Sequence, residues 1–151
     1  MKLEFLMEYT ADLQLPIRST GAGPFGTRGL VIVTGGSFEG PRLKGTIWAS
    51  GGDWWLRGSD EVLRLDVRAT FETDDGALIY GQYYGVNRPD GDRPMAQPGE
   101  PSEYGDAYFM TSPRFETGDD RYTWLNGLVC VAEGKRTEQG VAYRVYTVVN
   151  D

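Results

Sequence analysis

The sequence predicts an all-β fold: a single-domain antiparallel β-barrel of about eight strands with little helix. Three observations carry this. Strand patterns recur along the whole chain, while helical periodicity is weak throughout. Glycine reaches 21 of 151 residues, about twice the usual share of roughly 7%. It falls between short apolar runs, where bends, bulges and close backbone approach call for it. Finally, residues 64–73 alternate strictly, with Leu65, Val67, Ala69 and Phe71 on one face and Arg64, Asp66, Arg68, Thr70 and Glu72 on the other. A barrel is preferred to a sandwich because closure removes the edges that so many strands would expose.

The elements follow in order. Residues 3–13 are long enough for one extended strand. Gly21-Ala22-Gly23-Pro24 reads as a loop. Residues 27–34 hold the run Leu30, Val31, Ile32, Val33 and form a second strand. Residues 42–49, interrupted by Gly45, are a third. The stretch 33–55 places Gly35-Gly36, Gly40-Pro41, Gly45 and Gly51-Gly52 around these runs and ends in Asp53-Trp54-Trp55. After the alternating strand comes Asp74-Asp75-Gly76. Asp75-Gly76 favours a two-residue type I′ hairpin, which sets Phe71 opposite Tyr80 and Arg68 opposite Tyr83. Residues 77–86 are its return strand. Residues 106–116 form another strand, with Pro113 predicting an edge or a bulge because proline removes a ladder donor. Residues 126–135 and 141–149 form a terminal hairpin. Residues 88–105 break the rhythm with four of the eight prolines and three glycines. Such a segment builds no core of its own, and it reads either as a lid over a cavity or as a disordered surface loop.

Composition narrows the chemistry. The net charge is −7, which opposes binding to phosphate backbones, so no nucleic-acid partner is expected. There is no histidine and one cysteine, Cys130. Ser–His–Asp and Cys–His sites are therefore excluded, and no metal and no cofactor are expected. Cys130 lies in an apolar run and reads as a small buried hydrophobe. Residues 1–14 carry Glu4, Glu8 and Asp12 and do not resemble a signal peptide. No run approaches the 18 apolar residues of a membrane helix. The expectation is a cytoplasmic protein with no membrane partner.

Ordered motifs run along nearly the whole chain. The glycine-rich half contributes Gly26-Thr27-Arg28, then Gly35-Gly36-Ser37-Phe38-Glu39-Gly40-Pro41, Gly45 and Gly51-Gly52-Asp53-Trp54. The rest contributes Asp66-Val67-Arg68, Thr73 to Tyr80, Pro113-Arg114-Phe115-Glu116-Thr117 and Tyr122-Thr123-Trp124-Leu125-Asn126. In these the chain resembles the domain-of-unknown-function family 3237, also called uncharacterised protein family 0311. The resemblance implies a small antiparallel β-barrel of bacterial and fungal cytoplasmic proteins, with no settled reaction. The chain departs from the pattern mainly at residues 88–105.

Four sets of residues are candidates for chemistry. Asp66 and Arg68 share a strand face; if the barrel encloses a polar pocket they point into it, and if the apolar face packs inward they are merely solvated. The motif match raises the weight of the first reading, with Tyr83 opposite Arg68. Asp53 beside Trp54 is an acid near aromatic surface, where desolvation raises a pKa toward acid–base use; the alternative is a turn cap beside core tryptophans. Arg28 and Arg114 lie among uncharged residues. Turned inward they would hold a carboxylate or enolate, and turned outward they would pair with surface acids. Tyr83, Tyr108 and Trp124 complete the aromatic set for a ligand. The expected partner is a small carboxylate or phenolic metabolite, with a homo-oligomer also expected from exposed aromatic strand faces. Two functions remain: a small-molecule barrel acting as a cofactor-independent isomerase, dehydratase or cyclase, or a non-catalytic ligand-binding or oligomeric barrel with a packed interior.

Overall fold

In the computed structural model, which describes residues 1–151, eleven strands form one closed antiparallel sheet. They are β1 (Lys2–Leu13), β2 (Arg18–Gly23), β3 (Gly26–Glu39), β4 (Lys44–Ile47), β5 (Gly52–Asp53), β6 (Leu56–Arg57), β7 (Leu63–Thr73), β8 (Leu78–Pro89), β9 (Ala107–Glu116), β10 (Cys130–Arg136) and β11 (Gly140–Val149). One 3₁₀ turn spans Thr123–Gly127. The barrel has eight staves, because β4, β5 and β6 are pieces of a single stave lying between β3 and β7. The circuit closes where β1 pairs with both β11 and β3. β2 extends the edge of β3 beyond the end of β1.

The glycine-rich stretch makes this closure fit. At Gly36 a Cβ would overlap the carbonyl oxygen of Thr10, so β1 and β3 approach only because nothing projects there. Gly51 has φ +76, and a Cβ there would overlap the carbonyl oxygen of Arg68. It turns the broken stave between β4 and β5 against β7 in a conformation that side chains avoid.

Alternation decides which side chains enter the barrel. From β7 these are Leu65, Val67, Ala69, Phe71 and Thr73; from β8, Ile79 and Tyr83; from β9, Phe109, Thr111 and Phe115; from β11, Val141, Tyr143 and Val145. One end of the barrel is filled. Phe71 meets Tyr9, Phe38 and Phe115 edge-on, with ring centroids 5.3, 5.3 and 5.6 Å apart, and Leu125 of the 3₁₀ turn is buried with them in the core.

Several expectations needed correction. The 74–76 hairpin holds three loop residues. Thr73 Oγ1 accepts the Ala77 amide at 2.8 Å, the Thr73 amide donates to the Ala77 carbonyl at 2.9 Å, and Gly76 takes φ +93. This is the αL glycine of a three-residue loop. The register therefore slips by one residue: Phe71 opposes Ile79 and Arg68 opposes Gln82. That slip turns Tyr83 inward, opposite Val67. Pro113 makes no bulge in β9, whose pairing with β8 runs unbroken from Pro89↔Ala107 to Tyr80↔Glu116. The ladder to β10 instead stops at Thr111↔Ala132, short of the proline. Strand β2 runs through Gly21 to Gly23, where a loop was expected, and the strand expected over 126–135 begins only at Cys130, residues 126 and 127 closing the 3₁₀ turn Thr123–Gly127.

Residues 90–106 lie across the other end of the barrel. The Ser102 amide donates to the Arg136 carbonyl at 3.1 Å, and the Arg136 amide donates to Ser102 Oγ at 3.0 Å. Tyr104 lies under the cations of Lys135 and Arg144, 4.9 and 4.1 Å from its ring centre. The segment is thus pinned to β10 and β11.

Candidate functional site

Beneath that segment the barrel is not filled. A cavity of about 240 Å³ remains, walled by Val31, Val33, Leu65, Val67 and Phe109, among others, and covered by Met95, Ala96, Gln97 and Pro98. At roughly 30 Å³ per water it holds about eight, and it is smaller than the roughly 300–1,000 Å³ of a drug-sized site. It suits a compact molecule.

Its polar groups come from four places in the fold. Short strand β5 carries Asp53. The interior positions of β8 supply Tyr83 and Asn87, the last interior position of β10 supplies Arg136, and β11 supplies Tyr143. Asp53 Oδ1 accepts the backbone amide of Asp66 at 3.0 Å, while Oδ2 has no protein donor. Burial pushes the Asp53 carboxyl up to about 6; the Asp66 amide and the Arg136 charge pull it back only in part. Burial also raises the Tyr83 and Tyr143 hydroxyls, so both remain protonated donors at neutral pH. Their rings, with that of Tyr9, form a cluster with centroids 5.0–6.2 Å apart. The Tyr83 hydroxyl lies against those of Tyr143 and Tyr9. Asn87 Oδ1 and Trp55 Nε1 on the wall are buried and without a partner.

The structure divides the sequence-derived residues. It brings Asp53 and Tyr83 to the cavity. Asp66 and Arg68 do not enter it, since Leu65, Val67 and Ala69 take the interior parity of β7 and leave them on the outer face. Asp66 still touches the site through its backbone amide. Arg28 and Trp54 face an outer groove beside β2 and are exposed. Tyr108 and Arg114 share the outer face of β9, with Arg88 4.2 Å above the Tyr108 ring and Glu116 3.7 Å from Arg114. Trp124 sits on the 3₁₀ turn at the filled end, 3.7 Å beneath Arg42. An inward pair of arginines at 28 and 114 is therefore corrected: both point away from the barrel. The residues missed are Asn87, Arg136 and Tyr143. The signal was parity. Cys130, Ala132, Gly134 and Arg136 alternate on one face, so Arg136 is a charge on an otherwise apolar stripe.

No group of three or more Cys, Asp or Glu side chains is placed to hold a metal ion. No helix is long and apolar enough to cross a membrane.

The family model for a protein of unknown function, DUF3237, matches residues 1–148. The chain belongs to the DUF3237 family. A UPF0311 protein of Rhodopseudomonas palustris, RPA1785, is 33% identical over 133 residues, covering 86% of this chain and 87% of the relative. The crystal structure of a β-barrel-like protein from Acinetobacter baumannii superposes with a TM-score of 0.85 at 37% identity, over 97% of this chain and 94% of that one. An enzyme from Penicillium herquei shares the fold at a TM-score of 0.72 and 21% identity, over 97% and 94% of the two chains. The barrel is thus common to the DUF3237 chain and these relatives, and its chemistry must be argued from the site.

Proposed function

We propose that this protein binds a compact organic molecule in the barrel cavity and catalyses a cofactor-independent proton transfer: an isomerisation, dehydration or cyclisation. The observation that carries the reading is the Asp53 carboxyl, raised to about 6 at the wall of a partly covered, largely apolar cavity. An acid–base group works best with a pKa near the working pH. Asp53 is anchored through Oδ1 by the Asp66 amide, which leaves Oδ2 to take and return a proton. Tyr83 and Tyr143 supply neutral hydroxyl donors, suited to an oxygen on which negative charge develops. Residues 95–98 act as the lid that covers a ligand from one side.

A substrate-independent test is deuterium exchange. The protein is incubated in D₂O with a panel of carbonyl compounds bearing acidic C–H bonds, and label uptake is followed by proton NMR. Catalysed exchange is expected, rising with pH through about 6 as Asp53 ionises, and falling by about 100-fold or more in Asp53→Asn. Exchange that is equally fast in Asp53→Asn removes Asp53 from the mechanism. Binding without exchange would favour a carrier rather than an enzyme.

A further inference from the structure

Arg136 is only 9% exposed, yet no carboxylate pairs with it. Its Nε donates to the Ala96 carbonyl at 3.1 Å, and no other side-chain hydrogen bond is made. A guanidinium carries five N–H donors, so four are without a protein acceptor. Burial lowers its pKa, and Tyr143 and Asp53 pull it back only in part, against a further small repulsion from Arg57. An arginine nonetheless remains protonated in a protein. Buried charges are ordinarily paired or coordinated. The Ala96 carbonyl, part of the lid, satisfies one donor and carries no formal charge.

We propose that Arg136 is the anion-binding residue of the cavity, and that the molecule bound there is a small monocarboxylate with an apolar body. The planar guanidinium fork matches a carboxylate through two parallel hydrogen bonds. The rest of the cavity decides what the carboxylate is attached to. Fourteen of its 21 lining residues are hydrophobic, and the exposed mouth residue Arg57 is the only other cation among them. A phosphate or a dicarboxylate would bring a second charge, and the one other cation, Arg57, is exposed rather than buried in the cavity. The arrangement places the carboxylate at Arg136 and the body against Val67, Phe109, Tyr83 and Tyr143. The inference deepens the proposed function, because it rests on the reading that the cavity receives a ligand.

Isothermal titration of the full chain separates charge from shape. Benzoate and phenylacetate are the probes, with benzamide and phenylacetamide as uncharged isosteres. The acids are expected to bind at least about 10-fold more tightly than the amides, the size of one hydrogen bond to a charged group. Arg136→Gln should weaken acid binding about 10–100-fold and amide binding much less; for the acids Arg136→Lys, which keeps the charge and loses the fork, should fall between. Equal affinity for acids and amides, no binding of the acids, or acid binding that survives Arg136→Gln overturns the proposal. If Arg136→Gln fails to fold, the acid–amide comparison in the unaltered protein decides alone. Asp53→Asn tells this inference from the one it rests on. Retained acid binding with unchanged deuterium exchange sinks the proton-transfer reading and leaves the anion site. Equal acid and amide binding with exchange lost sinks the anion site alone.

Discussion

Phe71→Ala is expected to lower the free energy of unfolding by about 3–5 kcal/mol, the usual cost of truncating a buried phenylalanine. The ring is 1% exposed and meets three other aromatic rings edge-on, each pair adding roughly 0.5–1.5 kcal/mol beyond area burial. It also lies over Gly81, where a Cβ would come within 2.6 Å of its Cε1. One side of the ring is therefore held by backbone that does not readily move inward to refill the space. For a chain of this length such a loss lowers Tm by roughly 6–20 °C. Urea denaturation followed by tryptophan fluorescence checks it. Phe71→Leu should recover part of the loss, and a cost below about 1 kcal/mol for the alanine variant would show that the filled end relaxes around the gap. The consequence reaches the site, because Tyr9 links Phe71 to Tyr83 and Tyr143.

The alternation of residues 64–73 was legible because it is a local property of one strand, but it left open which face turns inward; the structure turns the apolar face, with Phe71, into the core. The pairing of that strand was not legible. Asp75-Gly76 suggests a two-residue turn, but Thr73 offers its hydroxyl to the Ala77 amide and lengthens the loop by one residue. The three-residue loop that this hydrogen bond helps to close goes with the register that puts Tyr83 opposite Val67 rather than Arg68. The motif match drew attention to Asp66 and Arg68. The structure gives Asp66 a smaller part, holding Asp53 through an amide that any residue at this position except proline would supply.

Arg136 was hidden for a different reason. Next to Lys135 it reads as a solvated basic pair, and only the strand boundary at Cys130 gives it interior parity. The cavity itself arises from long-range closure. It exists because residues from eight staves leave space at one end and residues 95–98 cover it. No local window of sequence contains that information. Composition did bound the chemistry: with no histidine and one cysteine, acid–base work falls to carboxylates and tyrosines, and the cavity holds both.

Asp53→Asn is expected to make the protein more stable at neutral pH while removing its exchange activity. The Asp53 carboxyl rises from 3.8 to about 6 on folding, so the folded state binds this proton more tightly than the unfolded chain does. The stability linked to it is fully present below about pH 4, is lost as pH rises through 6, and stays lost above. The difference corresponds to roughly 3 kcal/mol at most. Asparagine keeps an oxygen for the Asp66 amide and carries no charge, so it escapes this loss. The variant and the parent should unfold alike near pH 4, and the variant should gain up to about 3 kcal/mol by pH 7–8. The exposed carboxyls of Asp60 and Asp119 do not confuse the measurement. Hydrogen bonds from Arg64 and Arg121 hold them down at about 2, so their contribution is lost in a lower window, as pH falls through 2. Urea denaturation of both proteins at pH 4, 6 and 8 gives the three differences. A gap that is the same at all three values would mean that Asp53 titrates normally, and its claim to acid–base work would go with it. A gap that opens between pH 4 and 6 would mark a carboxyl kept in the cavity at a cost to stability, which is the trade made by groups whose use is chemical.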